Sequence, residues 1–110
     1  MSLSQEIALV TGASRGIGQA IALALGAEGA TVIGTATTDQ GAAAIQTSFA
    51  GQGVKGMGLA LDVTDAGSIE AGLKAIQNAF GAPTILVNNA GITRDNLLMR
   101  MKDEEWDAVI

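Results

Sequence analysis

Short apolar runs and helical stripes alternate along this chain. Ile7–Val10 is an uninterrupted apolar run of the kind carried by a strand buried on both faces, and with Thr11 it predicts a first strand. Ile17, Ala20, Ile21, Ala24 and Leu25 then recur at helical spacing, predicting a helix from about Gly16 to Glu28 that stops at Gly29. Thr31–Thr35 is β-branched and apolar, a second strand. Thr38 or Asp39 caps a helix from about Gln40 to Ala50, which buries Ile45 and Phe49. After the turn Gly51–Gly53, Val54–Leu61 predicts a third strand, weakened by Gly56 and Gly58 as suits an edge. Asp62–Asp65 ends it and caps the clearest stripe in the chain, Ile69, Leu73, Ile76 and Phe80, which Gly81 and Pro83 terminate. Thr84–Val87 is a fourth strand.

The order β-α-β-α-β-α-β, with one helix per crossover, requires parallel strands and right-handed connections, so the fold class is doubly wound α/β. The last segment is different. Asp103–Glu105 opens a further helix, and Trp106, Val109 and Ile110 begin an apolar face that meets no stop signal. Residues 1–110 are therefore expected to form one domain portion, truncated within a helix. The fourth strand would then keep an uncovered apolar flank prone to association.

Composition changes this picture in two ways. The chain is 48% hydrophobic and 15% charged, as a buried sheet demands, and its net charge of -5 argues against nucleic acid as a partner. Cys, His and Tyr are all absent, which removes disulfides, thiolate metal sites and the commonest general bases. With no membrane-length apolar run and no signal-type N-terminus, the chain reads as soluble and cytoplasmic.

The chemistry concentrates at Thr11–Gly18, Thr-Gly-Ala-Ser-Arg-Gly-Ile-Gly, where strand gives way to helix. Glycines at such a join allow a tight turn, close ligand approach and close helix packing, and the helix start offers N–H groups to a phosphate. No Lys-Ser or Lys-Thr follows, so a Walker-type loop is excluded. Arg15 opposes the helix dipole at a cost of about 0.3 to 1 kcal/mol, a placement that asks for a compensating anion. The second strand ends in Gly34–Thr38 with no acid to bind a ribose 2′-hydroxyl, so a 2′-phosphate is accepted and NADP is favoured over NAD. Asp62 either accepts from an adenine amino group or merely caps the next helix. Asn88–Gly91 lies where the strand order reverses, and serves either a ribose or its own neighbouring backbone.

Taken together, Thr11–Gly18, Asp62-Val63 and Asn88–Gly91 resemble the short-chain dehydrogenase/reductase family, over essentially the whole chain. Gly34–Thr37 and Gly91–Trp106 are similar to its bacterial branch that reduces 3-oxoacyl groups held on acyl carrier protein. The resemblance implies the N-terminal half of a Rossmann-type parallel sheet. It also implies that Gly12, Ser14, Arg15, Gly16, Ile17 and Gly18 hold the pyrophosphate and 2′-phosphate region of NADPH. Thr37 would select the 2′-phosphate, Asp62 and Val63 would flank adenine, and Asn89, Ala90 and Gly91 would line the ribose.

The family's proton-donating tyrosine, and the lysine, serine and asparagine that assist it, would all fall beyond Ile110. The catalytic set is therefore absent, and the chain alone is expected to be inactive. A homotetramer is implied for the parent protein, and the fatty-acid substrate arrives on an acidic carrier. Arg94, Arg100 and Lys102 either attract that carrier or form a solvated face. Two other readings stay open, a short-chain reductase of an acyl-CoA, sugar or other ketone, and a non-catalytic NADP-binding or association module.

Overall fold

The computed structural model describes residues 3–14, 16–62 and 64–89, and the backbone of residues 97–100. Its elements are β1 (Ile7–Val10), α1 (Gly16–Ala27), β2 (Thr31–Ala36), α2 (Asp39–Gln52), β3 (Gly56–Ala60), α3 (Ala66–Ala79), β4 (Ile85–Asn88) and β5 (Leu97–Arg100). They build one five-stranded sheet in the order β3-β2-β1-β4-β5. The first four strands are mutually parallel, with Val10 in register with both Gly34 and Val87. The expected α/β architecture is thus present, with β3 at an edge.

Alternation along each strand divides the core between the two faces of the sheet. Ala8, Val10, Val32, Ala36, Ile85 and Val87 cluster with Ala22 of α1 and with Ile45 and Phe49 of α2. Leu9, Ile33 and Leu86 cluster instead with Leu73 and Ile76 of α3. α1 and α2 therefore cover one face and α3 the other, as double winding requires. α2 sits unusually close to its strands. A Cβ at Gly34 would lie 2.9 Å from Ile45 and 3.2 Å from Phe49, and one at Gly58 would collide with the Ala42 carbonyl. The outward N–H of Gly58 donates to Gln46 Oε1 at 3.1 Å, which blunts the edge strand.

Helix boundaries follow their caps. Thr38 caps α2 by accepting from the Gly41 N–H at 3.0 Å, and Gly53, with φ of 70°, closes it in the left-handed conformation. Asp65 caps α3 by accepting from the Gly67 and Ser68 N–H groups at 2.9 and 3.4 Å.

Several expectations need correction. The buried face of α1 is centred on Gly18 and Ala22, with Ile21 and Leu25 partly buried beside them, whereas Ile17 is 64% exposed and Ala20 and Ala24 are exposed. The apolar stripe was therefore read one residue out of phase, because in an Ala-rich helix the small residues that approach the sheet carry little hydrophobic signal. Phe80 is 37% exposed and sits at the C-cap of α3, past the turn that packs.

β5 was not foreseen. It pairs with β4 antiparallel, Leu86 opposite Met99 and Val87 opposite Leu98, so β4 has partners on both sides and Ile85, Leu86 and Val87 are buried. The uncovered flank expected there is absent among the described residues. Strand pairing of residues 97–100 also replaces the helix-and-loop face expected around Arg100. The helix expected from Asp103 lies outside the described residues.

Core position should separate the two phenylalanines in urea unfolding. Phe49→Ala, at a site 2% exposed, is expected to lower stability by about 3 to 5 kcal/mol. Phe80→Ala should cost less than about 1 kcal/mol.

Candidate functional site

The parallel register carries the C-terminal ends of β1, β2, β3 and β4 to one edge of the sheet. The strand order steps outward from β1 to β3 and then returns to β4 on the other side of β1, so the crevice opens between the exits of β1 and β4. Thr11, Gly12, Asn88 and Asn89 stand at those exits.

Three glycines in the β1–α1 turn meet three different demands. Gly12 and Gly16 both have φ of 63°, where a side chain is strained. A Cβ at Gly16 would meet nothing within 4 Å, so this exposed residue leaves open space at the start of α1. Gly18 is sterically different. A Cβ there would collide with the Gly12 carbonyl and lie 2.7 Å from Asn89 Nδ2. α1 is therefore pressed onto the turn, and its first turn, whose N–H groups have no partner within the helix, starts beside the β1 exit.

The turn is pinned from both sides. Asn89 Nδ2 donates to the Gly12 carbonyl at 3.1 Å, and the Asn89 N–H donates to Thr11 Oγ1 at 2.9 Å. The buried Thr11 hydroxyl also lies 3.4 Å from the Val87 carbonyl and 3.3 Å from Asn88 Oδ1. On the β2 side the Ala13 N–H donates to the Thr35 carbonyl at 2.9 Å. Thr11 is a structural member of the site that the sequence reading passed over. Its signal was a hydroxyl at the last position of an otherwise apolar strand.

Ser14 is half-buried in the β1–α1 turn, with its Cβ 3.8 Å from where a Gly41 Cβ would stand. Thr37 is exposed between the buried Ala36 and the cap Thr38. The structure thus brings Gly12, Gly18 and Asn89 into contact and sets Ser14 beside Gly41, while Gly16, Ile17 and Thr37 are exposed at the start of α1 and after β2. Asp62 follows β3, which stands two strand spacings, about 10 Å, from β1. Arg15, Val63, Ala90 and Gly91 lie outside the described residues.

Asp62 does not cap α3, a role held by Asp65. Its Oδ1 accepts from the Thr64 hydroxyl at 2.6 Å and from the Thr64 N–H at 2.9 Å, while its own N–H donates to Ser68 Oγ at 3.0 Å. The Thr64 hydroxyl first, and its N–H second, hold the Asp62 carboxyl below its ordinary value of 3.8. The carboxylate is charged at neutral pH and only accepts hydrogen bonds.

Comparison with known proteins now identifies the class. The family model described as short chain dehydrogenase matches residues 6–110, and the chain belongs to that family. Over all 110 residues it is 66% identical to 3-oxoacyl-(acyl-carrier-protein) reductase FabG of Vibrio harveyi. The reductases of the same name from Escherichia coli K12 and Pseudomonas aeruginosa are 62% and 61% identical over the same 110 residues. The chain spans 44% of the length of each of these relatives. No helix among the described residues is long and apolar enough to cross a membrane.

The depressed Asp62 value has a definite sign in pH dependence. A carboxyl whose folded value lies below its unfolded one contributes stability above pH 4, roughly, and that contribution is lost as pH falls through the folded value. Thr64→Val removes the leading cause, so the Asp62 carboxyl should titrate closer to 3.8 in carbon-detected NMR. An unchanged titration would mean that the Thr64 hydroxyl is not responsible.

Proposed function

We propose that this chain is the NADPH-binding portion of a reductase that converts 3-oxoacyl groups on acyl carrier protein to 3-hydroxyacyl groups in bacterial fatty-acid synthesis. The observation that carries the reading is the Gly18 contact. Only glycine lets α1 begin against the Gly12 carbonyl and the Asn89 amide, and this close start aims its N–H groups at an anion beside the crevice. The open space at Gly16 leaves room for a ligand beside that turn. Identity of 61% to 66% with named reductases supports the substrate class.

In this reading Gly12, Ser14, Gly16, Ile17 and Gly18 hold the pyrophosphate, and Arg15 and Thr37 bind the ribose 2′-phosphate. Asp62 accepts from the adenine amino group beside Val63, and Asn89, Ala90 and Gly91 lie along the second ribose. NADPH supplies the hydride that reduces the C3 ketone. The matching proton must come from a donor at the carbonyl oxygen, and the chain contains no Tyr and no His to provide it. The chain is accordingly expected to bind its cofactor without turning over a ketone. The parent protein is cytoplasmic and a homotetramer, and domain 1–110 contributes its cofactor half.

Titration of the chain with NADPH and NADH, read by calorimetry, tests this directly. NADPH should bind at least about tenfold more tightly, as expected when a charge-assisted contact to the 2′-phosphate is gained. Arg15→Ala or Thr37→Ala should narrow that preference, and Gly18→Ala should abolish binding of both. A preference for NADH overturns the assignment of Arg15 and Thr37, and failure to bind either nucleotide overturns the cofactor reading. Reduction of a 3-oxoacyl thioester by the mass-verified chain would overturn the statement that its catalytic set is missing.

A further inference from the structure

Gly41 has no evident reason to be glycine on local grounds. It lies in the first turn of α2, in ordinary helical conformation, where Ala would be more favourable by roughly 0.5 to 1 kcal/mol. Space explains it. A Cβ at Gly41 would lie 2.6 Å from Ala36 Cβ, 3.3 Å from Thr38 Oγ1 and 3.8 Å from Ser14 Cβ. The first of these distances is too short for a carbon–carbon contact, and Ala36 is buried in the sheet, so it cannot yield. The exposed Thr37 lies between Ala36 and Thr38, at the one place where β2, the start of α2 and the β1–α1 turn meet.

We propose that Gly41 is a positioning residue for cofactor selectivity. By letting the first turn of α2 close down on Ala36, it fixes the separation between Thr37 and Ser14, and so the width of the slot offered to a ribose 2′-phosphate. This inference rests on the cofactor reading above. It adds that the slot is set by an absent methyl group one turn away and not by the hydroxyl of Thr37 alone. Gly41 touches no ligand atom in this account. It acts through the placement of Thr37 and of the Thr38 cap, whose oxygen accepts the Gly41 N–H.

The test is the ratio of NADPH to NADH affinity, measured by calorimetry on the chain and two variants. Gly41→Ala should lower that ratio by about tenfold, with NADH affinity nearly unchanged because NADH places a hydroxyl where the 2′-phosphate would sit. The double variant Ala36→Gly/Gly41→Ala removes the methyl that the new one would strike, and should restore the ratio. Restoration is not expected if Gly41 serves only helix packing. The inference is overturned if Gly41→Ala leaves the ratio unchanged, if it weakens both nucleotides equally, or if the double variant stays as poor as the single one. Should Gly41→Ala fail to fold, a folded double variant with the original preference supports the steric account, and one without that preference overturns it. A parent chain with no preference for NADPH overturns this inference together with the cofactor reading. A parent preference that Gly41→Ala leaves intact overturns this inference alone.

Discussion

The hydrogen bond from the Asn89 side-chain amide to the Gly12 carbonyl is the contact on which the rest of the crevice depends. It ties the exit of β4 to the turn after β1 across 77 residues of chain, and it stands directly over Gly18. Such a bond forms only once the intervening helices and strands are folded, since the two groups have no local reason to meet. Once made, it fixes the height at which α1 starts relative to the sheet. Without Asn89 the Gly12 carbonyl would lose its partner at a half-buried site, which costs roughly 1 to 3 kcal/mol and loosens the turn. Thr11 reinforces it from below by accepting the Asn89 N–H.

The face that carries α1 and α2 combines Ile45 and Phe49 with small residues that let the helices approach the strands closely. Ala8, Ala13, Ala22 and Ala36 are buried there, and Gly34 and Gly58 let α2 lie close to β2 and β3. The opposite face, under α3, is filled by Leu9, Ile33, Leu73, Ile76 and Leu86. A helix packed close to a sheet also brings its N-terminus close to the strand ends. Ser14 and Gly41 meet over Ala36 for that reason, and Thr37 is left as the exposed residue between them.

Periodicity made the four parallel strands and the three helices legible, because Ile7–Val10 and Ile85–Val87 are continuous apolar runs, Thr31–Thr35 is rich in β-branched residues, and the caps at Thr38, Gly53 and Asp65 are local chemistry. Phase was less legible than existence. In α1 the residues nearest the sheet are Gly18 and Ala22, chosen for closeness, so a search for large apolar side chains selected Ile17 on the exposed side instead. β5 escaped for another reason. Pairing of Leu97–Arg100 with β4 is a long-range choice, and nothing in Leu-Leu-Met-Arg distinguishes a strand from the start of a helix. The glycine turn and Asn89 were visible as a motif, whereas Thr11 and Gly41 act through what they touch or leave room for, which spacing alone does not encode.

Asp62 gives the crevice a polarity that the glycine turn lacks. Its exposed carboxylate is ionised at neutral pH, Thr64 donates twice to Oδ1 and lowers its pKa further, and among the described residues Oδ2 takes no bond. An ionised acceptor at the end of β3 repels phosphate and favours a donor such as an amino group. At the end of β1, the first-turn N–H groups of α1 favour phosphate and offer nothing to an amino group. In the proposed reading, a molecule that spans both would lie with its anionic part over α1 and its amino-bearing part toward β3. Reversal would set a phosphate against Asp62 and leave the helix start without an anion. On the proposed reading, the separation of the two poles by β2 would order the ligand before any contact specific to its rings is made.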